Sequence, residues 1–205
     1  MPLAVNPTAR MIQLIAGLAL YGTSMAMMTR AGLGLSPWDV LHEGFTVRTG
    51  LSFGVITAIT SGAVLLAWVP LRQRPGLGTI ANVVVIAVTV DLVRLVLPQQ
   101  HDLRWQIALL VGGVVLNGVA TAAYIGVRLG PGPRDGLMTG LVAVSGRSVQ
   151  LVRTAIEASV LLAGWLLGGT VGVGTLLYAF TIGSLTQYFL ARTTWRDQEP
   201  CATAP

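Results

Sequence analysis

Two aspartates, at matching places in two similar phrases, are the residues best suited to chemistry in this chain. Asp39 lies in GLGLSPWDVL (32–41), and Asp135 lies in RLGPGPRDGL (128–137), 96 positions later. An ionisable group is costly in an apolar chain unless it is used, so the pair could carry a proton or bind a cation. Each aspartate also follows a proline at the spacing of a helix start, where an acid can serve as a cap worth about 0.5–1 kcal/mol. Both interpretations, a working pair and a structural cap, stay open.

Other polar residues of the two phrases are further candidates for binding a small molecule. They are Ser36, Trp38, His42, Glu43 and Arg134. A second group of polar residues lies within or beside the apolar runs: Asn82, Asp91, Arg94, Asn117, Arg153, Glu157 and Gln187. Two couples in that group, Asp91 with Arg94 and Arg153 with Glu157, have helical i, i+3 or i, i+4 spacing, which predicts local ion pairs.

The two phrases belong to a longer internal repeat. An ungapped comparison of residues 14–91 with 110–187 gives 22 identities in 78 positions, whereas chance would give roughly a tenth in such a composition, so we interpret the match as a duplication. The repeats cover about 11–98 and 105–192. Four repeated glycines, Gly34 with Gly130 and Gly78 with Gly174, are expected at turns or close helix contacts where a side chain does not fit.

The composition indicates an integral membrane protein. The chain is 53% hydrophobic and 10% charged, with a mean hydropathy of +0.72, whereas a soluble domain carries about 25% charged residues. All 13 basic residues are arginines, and they stand singly or in pairs at the ends of apolar runs, where they anchor helices and set orientation. The basic charge therefore gives no indication of nucleic-acid binding.

Six apolar runs are predicted to span the membrane, since each approaches the roughly 20 residues that a helix needs. They cover 11–29, 51–71, 77–98, 105–127, 148–167 and 175–190. Trp68 is expected to be an interfacial anchor at the end of the second run. In each repeat, a short polar helix follows the first run, with Ser36 as N-cap and Pro37 at the first helical position in the first copy. Such a helix is expected to be re-entrant or interfacial.

Three spans in each repeat mean that the second copy is inserted upside down. Cytoplasmic termini place nine arginines inside and four outside, which is the favoured orientation. The fold class is thus an all-α membrane protein with about six transmembrane helices in two inverted three-span repeats, forming a single membrane domain (1–205). If the short helices also spanned, there would be eight spans and parallel repeats. Residues 193–205 are expected to form a polar disordered tail.

Specific phrases also carry a family resemblance. With the segments GLGLSPWDVL, TGLSFG, WVPLRQRPGLGTIAN and LGPGPRDGLMTGL, the chain resembles the bacterial YczE membrane proteins, which are loosely grouped with YitT. The resemblance covers about residues 10–190. It implies a multi-pass protein of the bacterial plasma membrane, and it brings no catalytic or ligand residues with it.

Inverted repeats with paired short helices are typical of secondary transporters, whose site lies at the repeat interface. We therefore expect a small transporter or exporter of an unknown small molecule in the lipid bilayer, and the sequence leaves open whether it works as a monomer or as a homodimer. The alternative is a membrane-embedded substrate-binding or partner subunit, which could dock through the small residues of the first run. Motifs of hydrolases and phosphate loops are lacking, and the one cysteine and two separated histidines suggest no metal site. Neither an enzyme nor a cofactor is expected.

Overall fold

A computed structural model describes residues 6–195 of the chain, which form eight α-helices. Their bounds are α1 Pro7–Ala31, α2 Pro37–Thr49, α3 Phe53–Trp68, α4 Leu77–Val96, α5 Leu103–Gly126, α6 Pro133–Ser145, α7 Val149–Leu166 and α8 Val173–Thr193. The described residues contain no strand. Each of α5–α8 begins 96 positions after the corresponding helix of α1–α4. The helix pattern therefore follows the sequence repeat closely.

Local sequence signals fix many of these helix ends. Ser36, Ser52 and Ser148 are N-caps whose hydroxyls accept the N–H of the residue three positions on, as serine does when it replaces a missing intrahelical partner. The predicted start of α2 at Ser36-Pro37 is confirmed. Gly50 and Gly146 end the two short helices with φ of +73° and +64°, a left-handed conformation that favours glycine.

Four helices are long and apolar enough to cross a membrane: α1, α4, α5 and α7. The number becomes five if α2 and α3, which are bent by 116° at their junction, are taken as one span. The second predicted run, 51–71, contains only the 16 residues of α3, because Ser52 caps its start and the helix ends at Trp68. The sixth run lies in α8, which has 21 residues but is not among these four. The chain is thus a multi-pass helical protein with fewer clear spans than the six predicted.

Helices α1 and α5 form the centre of the bundle and run antiparallel. Gln13 near the start of α1 donates to the carbonyl of Ala123 near the end of α5, while Ser24 accepts from Asn117 farther back. Helix α4 packs along α1, and α8 packs along α5. Gly17 allows α1 to approach α5, and Gly22 allows α1 to approach α4, with little room for a β-carbon at either glycine. These small residues of α1 are therefore used inside the bundle.

The outer helices pack in pairs that join the two halves of the chain, α2 on α7 and α3 on α6. A β-carbon on Gly164 of α7 would meet the backbone of Val40 and Leu41, so that glycine permits the close α2–α7 contact. At the equivalent place in the other pair, Trp68 of α3 lies against Gly136 of α6. Trp68 is 1% exposed and donates from Nε1 to the carbonyl of Pro133 at 3.0 Å. The prediction of an interfacial anchor is wrong, because a glycine on α6 opens a buried slot for the indole.

Two loops make matching backbone bonds to the opposite half of the chain. The N–H of Gly78, in the first turn of α4, donates to the carbonyl of Leu129 at 2.9 Å, and the N–H of Gly174, in the first turn of α8, donates to that of Leu33 at 2.8 Å. Gly174 stands 96 positions after Gly78, and Leu129 stands 96 positions after Leu33. In the first bond the donor belongs to the first half of the chain, and in the second bond the equivalent donor belongs to the second half. Each loop therefore seats against the first turn of a helix from the other half.

Glycine is required where these loops make their contacts. Gly34 and Gly130 have φ of +116° and +126°, which L residues with a β-carbon rarely adopt. A β-carbon on Gly34 would lie 2.8 Å from the nitrogen of Gly172, and one on Gly174 would lie 2.6 Å from the carbonyl oxygen of Gly34. All four repeated glycines thus lie at one or other of the two loop contacts.

The segment between α1 and α3 begins and ends beside the same end of α4. The guanidinium of Arg30, near the end of α1, donates to the carbonyl of Arg94. At the far end of the segment, the hydroxyl of Ser52 donates to Asp91, one turn away on the same helix. Between these points Gly34 to Val40 is buried. The loop therefore enters the protein and α2 leads back out.

The two ends of the described chain lie together. Trp195 donates from Nε1 to Gln13 at 2.7 Å and from its backbone N–H to the carbonyl of Gly126. Residues 193–195, which the sequence assigned to a disordered tail, are therefore held against α1 and α5. The rest of that tail lies outside the described residues.

Candidate functional site

The N-terminal turns of α2 and α6 meet inside the bundle. Arg134, in the first turn of α6, stacks on Trp38 of α2 with its guanidinium carbon 5.1 Å from the ring centroid. Its terminal nitrogens reach the hydroxyl of Tyr21 at 3.5 Å and Oδ1 of Asp39 at 3.8 Å. A cation of the second motif is thus held by an aromatic ring and an acid of the first. A cation over an aromatic face is stabilised by about 0.5–2 kcal/mol, depending on its desolvation.

Asp39 is enclosed behind this stack, with a side chain that is 2% exposed. Its Oδ2 accepts from the hydroxyl of Ser36 at 2.6 Å. Its Oδ1 accepts no hydrogen bond from residues 6–195, although Nδ1 of His42 lies 3.4 Å away and a terminal nitrogen of Arg134 lies 3.8 Å away. The carboxylate therefore does more than cap α2, because its charge faces a cation of the opposite half.

Asp135 is the matching acid in the first turn of α6 and is half-buried. Its Oδ2 accepts from the hydroxyl of Tyr124 at 3.1 Å, and the ring of Tyr124 packs edge-on against Tyr21, with centroids 6.1 Å apart. Gly132 replaces Ser36 as the N-cap here, so no serine hydroxyl competes for the acid. Asp135 consequently faces open space where Asp39 does not.

A cavity of about 280 Å³ lies between the two motif helices, and all eight helices contribute to its wall. The sequence candidates that line it are Ser36, Trp38, Asn82, Arg134, Asp135, Arg153, Glu157 and Gln187. Two of them are already paired, since Nε of Arg153 lies 2.9 Å from Oε1 of Glu157, and this predicted ion pair is confirmed. The apolar part of the wall includes Ile86, Met138 and Ile182.

Several other candidates lie away from the cavity wall. His42 is buried between Asp39 and Thr57, whose Oγ1 is 3.4 Å from Nδ1, and its ring packs on Phe53. Glu43 accepts from the backbone N–H of Thr170 at 2.5 Å and so ties α2 to the α7–α8 loop.

Asn117 joins α1 to α8 at the edge of the cavity. Its amide donates to Ser24 at 2.8 Å, and its oxygen accepts from Tyr178 at 3.1 Å. Tyr178 itself lines the cavity. Asn117 therefore positions a wall residue without being part of the wall.

Asp91 and Arg94 lie near the end of α4 and are not part of the cavity wall. Asp91 accepts from the hydroxyl of Ser52 at 2.5 Å and from the N–H of Gly54 at 2.8 Å. Arg94 stacks over Phe53 with its guanidinium carbon 4.9 Å from the ring centroid. The two residues thus bind different partners on α3, and Asp91 fastens α3 to α4.

Three tyrosines of the cavity wall were missed in the sequence: Tyr21, Tyr124 and Tyr178. A tyrosine in an apolar run has no charge to mark it, so its hydroxyl gives a weak signal. The repeat did contain a clue, because Tyr178 stands 96 positions after Asn82 and Tyr21 stands 96 positions before Asn117. In both pairs, a polar group recurs at the same place in the two halves.

The two halves differ in how their outer helices pack. Helix α3 packs along α4, with Gly54 against the carbonyl of Ala87 and Asp91 as its fastening. Helices α7 and α8 have no comparable packing in the described part of the chain, and residues of both line the cavity, among them Glu157 and Tyr178. All four of these helices line the cavity, but of the two equivalent pairs, it is α3 and α4 that pack closely on each other in the described residues.

No group of three or more His, Cys, Asp or Glu side chains within residues 6–195 could hold a metal ion. The polar groups in and beside the cavity include Arg134, Asp135, the enclosed Asp39, the tyrosine hydroxyls and the amide of Asn82.

The chain is similar to several bacterial proteins. The family of unknown function DUF6198 matches residues 8–191. An uncharacterized protein of Haemophilus influenzae is 40% identical over 177 residues, which cover 86% of this chain and 81% of that protein. The uncharacterized membrane protein YczE of Bacillus subtilis is 35% identical over 172 residues, which cover 83% of this chain and 79% of that protein. The resemblance to YczE proteins is thereby confirmed. The uncharacterized protein YyaS of Bacillus subtilis is 27% identical over 178 residues, covering 85% and 89%, and no solved structure matches.

Proposed function

This chain belongs to the family of unknown function DUF6198, and we propose that it is a small secondary transporter whose substrate binds in the cavity between α2 and α6. The observation that carries this proposal is the meeting of the two motif helices, where Arg134 of one stacks on Trp38 of the other beside a cavity of about 280 Å³. Helix N-termini that converge inside a membrane bundle are a common way of building a transport site. An expensive buried ion pair, Arg134 with Asp39, is also easier to explain by use than by stability.

Inverted repeats are part of the same proposal. Three observations support them: the helix starts recur at 96 residues, α1 and its counterpart α5 run antiparallel, and the Gly78 and Gly174 bonds exchange partners between the halves. In this arrangement α3 and α8 complete a set of six spans. The motif helix α2 is re-entrant in this proposal, because the segment from Arg30 to Ser52 begins and ends beside the same turn of α4. The same path is proposed for its counterpart α6.

The unequal packing of the outer helices suggests how the cavity changes sides. In the described conformation α3 is fastened to α4 through Asp91, while residues of α7 and α8 border the cavity. Exchange of the two arrangements would part α3 from α4 and close α7 on α8. Access would then alternate between the two faces of the membrane, which is the motion expected of inverted repeats.

The location proposed is the bacterial plasma membrane, with both termini in the cytoplasm. The contact of Trp195 with Gln13 supports placing both termini on one side. Arg134 and Arg153 line the cavity and so do not act as loop charges, which leaves seven arginines inside against four outside. The bias still favours cytoplasmic termini.

A partner-subunit role and an enzymatic role are less well supported. The small residues of α1 that could have docked a partner helix are used by α4 and α5, as Gly17 and Gly22 show. The acids of the cavity are held by a tyrosine and an arginine and are not arranged as a nucleophile with a base. We therefore propose that the chain is not an enzyme.

Reconstitution tests the transporter proposal. The purified protein would be placed in proteoliposomes and exposed to a panel of labelled metabolites. Arg134→Gln is the test variant, and Arg104→Gln, at an exposed site, is its matched control. Uptake of at least one compound is expected for the wild type and Arg104→Gln, with a strong loss for Arg134→Gln. Uptake that Arg134→Gln leaves unchanged, or no uptake of any compound by folded protein, would contradict the proposal.

A further inference from the structure

We propose that the cavity binds a small zwitterion, a molecule that carries one carboxylate and one ammonium group. This inference rests on the proposed function for its biological meaning, although binding can be measured without transport. In the bound state the carboxylate would face Arg134 and the ammonium group would face Asp135, two consecutive residues that both line the cavity.

The first argument is the unused donor capacity of Arg134. A guanidinium offers five N–H donors and binds carboxylates through two parallel hydrogen bonds of about 2.7–2.9 Å. The two polar contacts of Arg134 in the described chain are far longer, 3.5 Å to Tyr21 and 3.8 Å to Asp39. Its side chain is 27% exposed, toward the cavity. An incoming carboxylate would supply the close acceptor that the protein does not.

The second argument concerns which acid remains available to a cation. Glu157 is paired with Arg153 at 2.9 Å, and Asp39 is enclosed and bonded to Ser36. Among the described residues, Asp135 is the acid of the cavity wall that is not paired with an arginine, and its Oδ2 accepts from the hydroxyl of Tyr124. A carboxylate can accept several hydrogen bonds, so Asp135 retains capacity for an ammonium group.

The third argument is charge balance. With Glu157 and Arg153 paired, the remaining charges are Arg134 against Asp39 and Asp135, and the positive ends of α2 and α6 offset the excess acid. A purely anionic ligand would leave Asp135 without a cation, and a purely cationic ligand would leave Arg134 with no acceptor closer than 3.5 Å among the described residues. A charge without a close partner is costly in an environment of low dielectric constant. A zwitterion partners both groups without changing the total charge.

The dimensions limit the rest of the molecule. A cavity of about 280 Å³ is near the lower end of small-molecule sites, so the ligand is the size of a single amino acid and not of a peptide. Its walls include Ile86, Ile182 and the rings of Tyr21 and Tyr178. These surfaces suit a ligand whose remaining part is apolar or aromatic.

Equilibrium binding to the purified, detergent-solubilised protein provides the test. Leucine would be compared by calorimetry with 4-methylpentanoate, which lacks its ammonium group, and with 3-methylbutylamine, which lacks its carboxylate; phenylalanine and its two matched analogues form a second set. In at least one set the amino acid is expected to bind about tenfold or more tightly than both analogues. Equal or tighter binding of an analogue, or no binding in either set, would overturn the inference.

Two variants make the assignment of the charged groups specific. Arg134→Gln should remove the advantage of the amino acid over the amine, and Asp135→Asn should remove its advantage over the acid. Arg104→Gln, on an exposed residue of α5, should keep the wild-type order. If Arg134→Gln does not fold, Arg134→Lys serves in its place, with weaker binding of the amino acid expected because bidentate contact is lost. An unchanged order of ligands in both cavity variants would overturn the assignment.

Binding and transport can fail separately. Zwitterion binding without uptake into proteoliposomes would leave the site intact and remove the transporter proposal. Uptake of a compound that is not a zwitterion, with no preference in calorimetry, would support the transporter and overturn the substrate class.

Discussion

Trp38 and Arg134 occupy the same position in the two motif helices, 96 residues apart, and they stack on each other with 5.1 Å between the guanidinium carbon and the ring centroid. If both positions held the same residue, either the aromatic ring or the positive charge would be absent and this cation–π contact could not form. The contact therefore depends on the divergence of the two copies, and it joins the halves where the cavity begins.

The first prediction concerns this stack. Trp38→Leu and Arg134→Gln should each destabilise the protein, and the double variant should lose less than the sum by about 0.5–2 kcal/mol, since the cation–π contact is lost only once. Unfolding in detergent, followed by tryptophan fluorescence of the four remaining indoles, measures the coupling. Strict additivity would show that the stack contributes nothing to stability.

The second prediction separates the two interpretations of Asp39. Asp39→Asn should keep the fold, because the amide oxygen can still accept from Ser36, but it removes the charge that faces Arg134. Transport in proteoliposomes is expected to fall by about tenfold or more. Asp102→Asn is the matched control, since Asp102 caps α5 at an exposed site and asparagine caps helices equally well. Wild-type transport by Asp39→Asn would leave the acid with a structural role only.

The third prediction concerns the glycines of the loop contacts. Gly34→Ala and Gly130→Ala should reduce the yield of folded protein, because both positions have a positive φ and face the first turns of α8 and α4. Gly62→Ala is the matched control, since a β-carbon there meets nothing within 4 Å. Size-exclusion profiles and melting temperatures measure the effect. Equal stability of all three variants would count against tight seating of the loops.

The fourth prediction tests the exchange of helix packing. A disulfide between Ser52→Cys and Asp91→Cys, in a Cys201→Ser background, should hold α3 against α4 and stop transport, because their side chains touch in the described conformation. Reduction should restore the activity of the double variant to that of its unoxidised form. Full transport by the cross-linked protein would mean that α3 and α4 need not part.

The fifth prediction is topological. Reporter fusions after Trp195 should report the cytoplasm, and fusions after His101 should report the outside, from the bias of the loop arginines. The same side for both fusion points would exclude an odd number of spans in the second half and so contradict three spans in each repeat.

The helix starts could be predicted from the sequence because the interactions that fix them are local. Ser36 with Pro37, and Ser52, satisfy free amides of their own helices, so three or four residues contain the whole signal. The Arg153–Glu157 pair is local for the same reason.

Contacts between distant segments could only partly be predicted from the sequence. Trp68 has the sequence context of an interfacial anchor, and its burial follows from Gly136, which is 68 positions away. The sequence likewise paired Asp91 with Arg94 as near neighbours, whereas the fold gives Asp91 to Ser52. Short-range rules cannot identify a partner that only the packing of another helix supplies.

The exchanged loop bonds, Gly78 to Leu129 and Gly174 to Leu33, have a consequence for the origin of the molecule. Under the proposed inverted repeats, a chain of half this length, with one motif, could complete both bonds only with a second copy of itself inserted in the opposite orientation. Such an ancestor would be a dual-topology homodimer, in which every residue of the contact must suit both its roles. Fusion removes that constraint, so one copy could place tryptophan at 38 and the other arginine at 134. The charge asymmetry of the cavity is thus a property that two identical subunits could not have had.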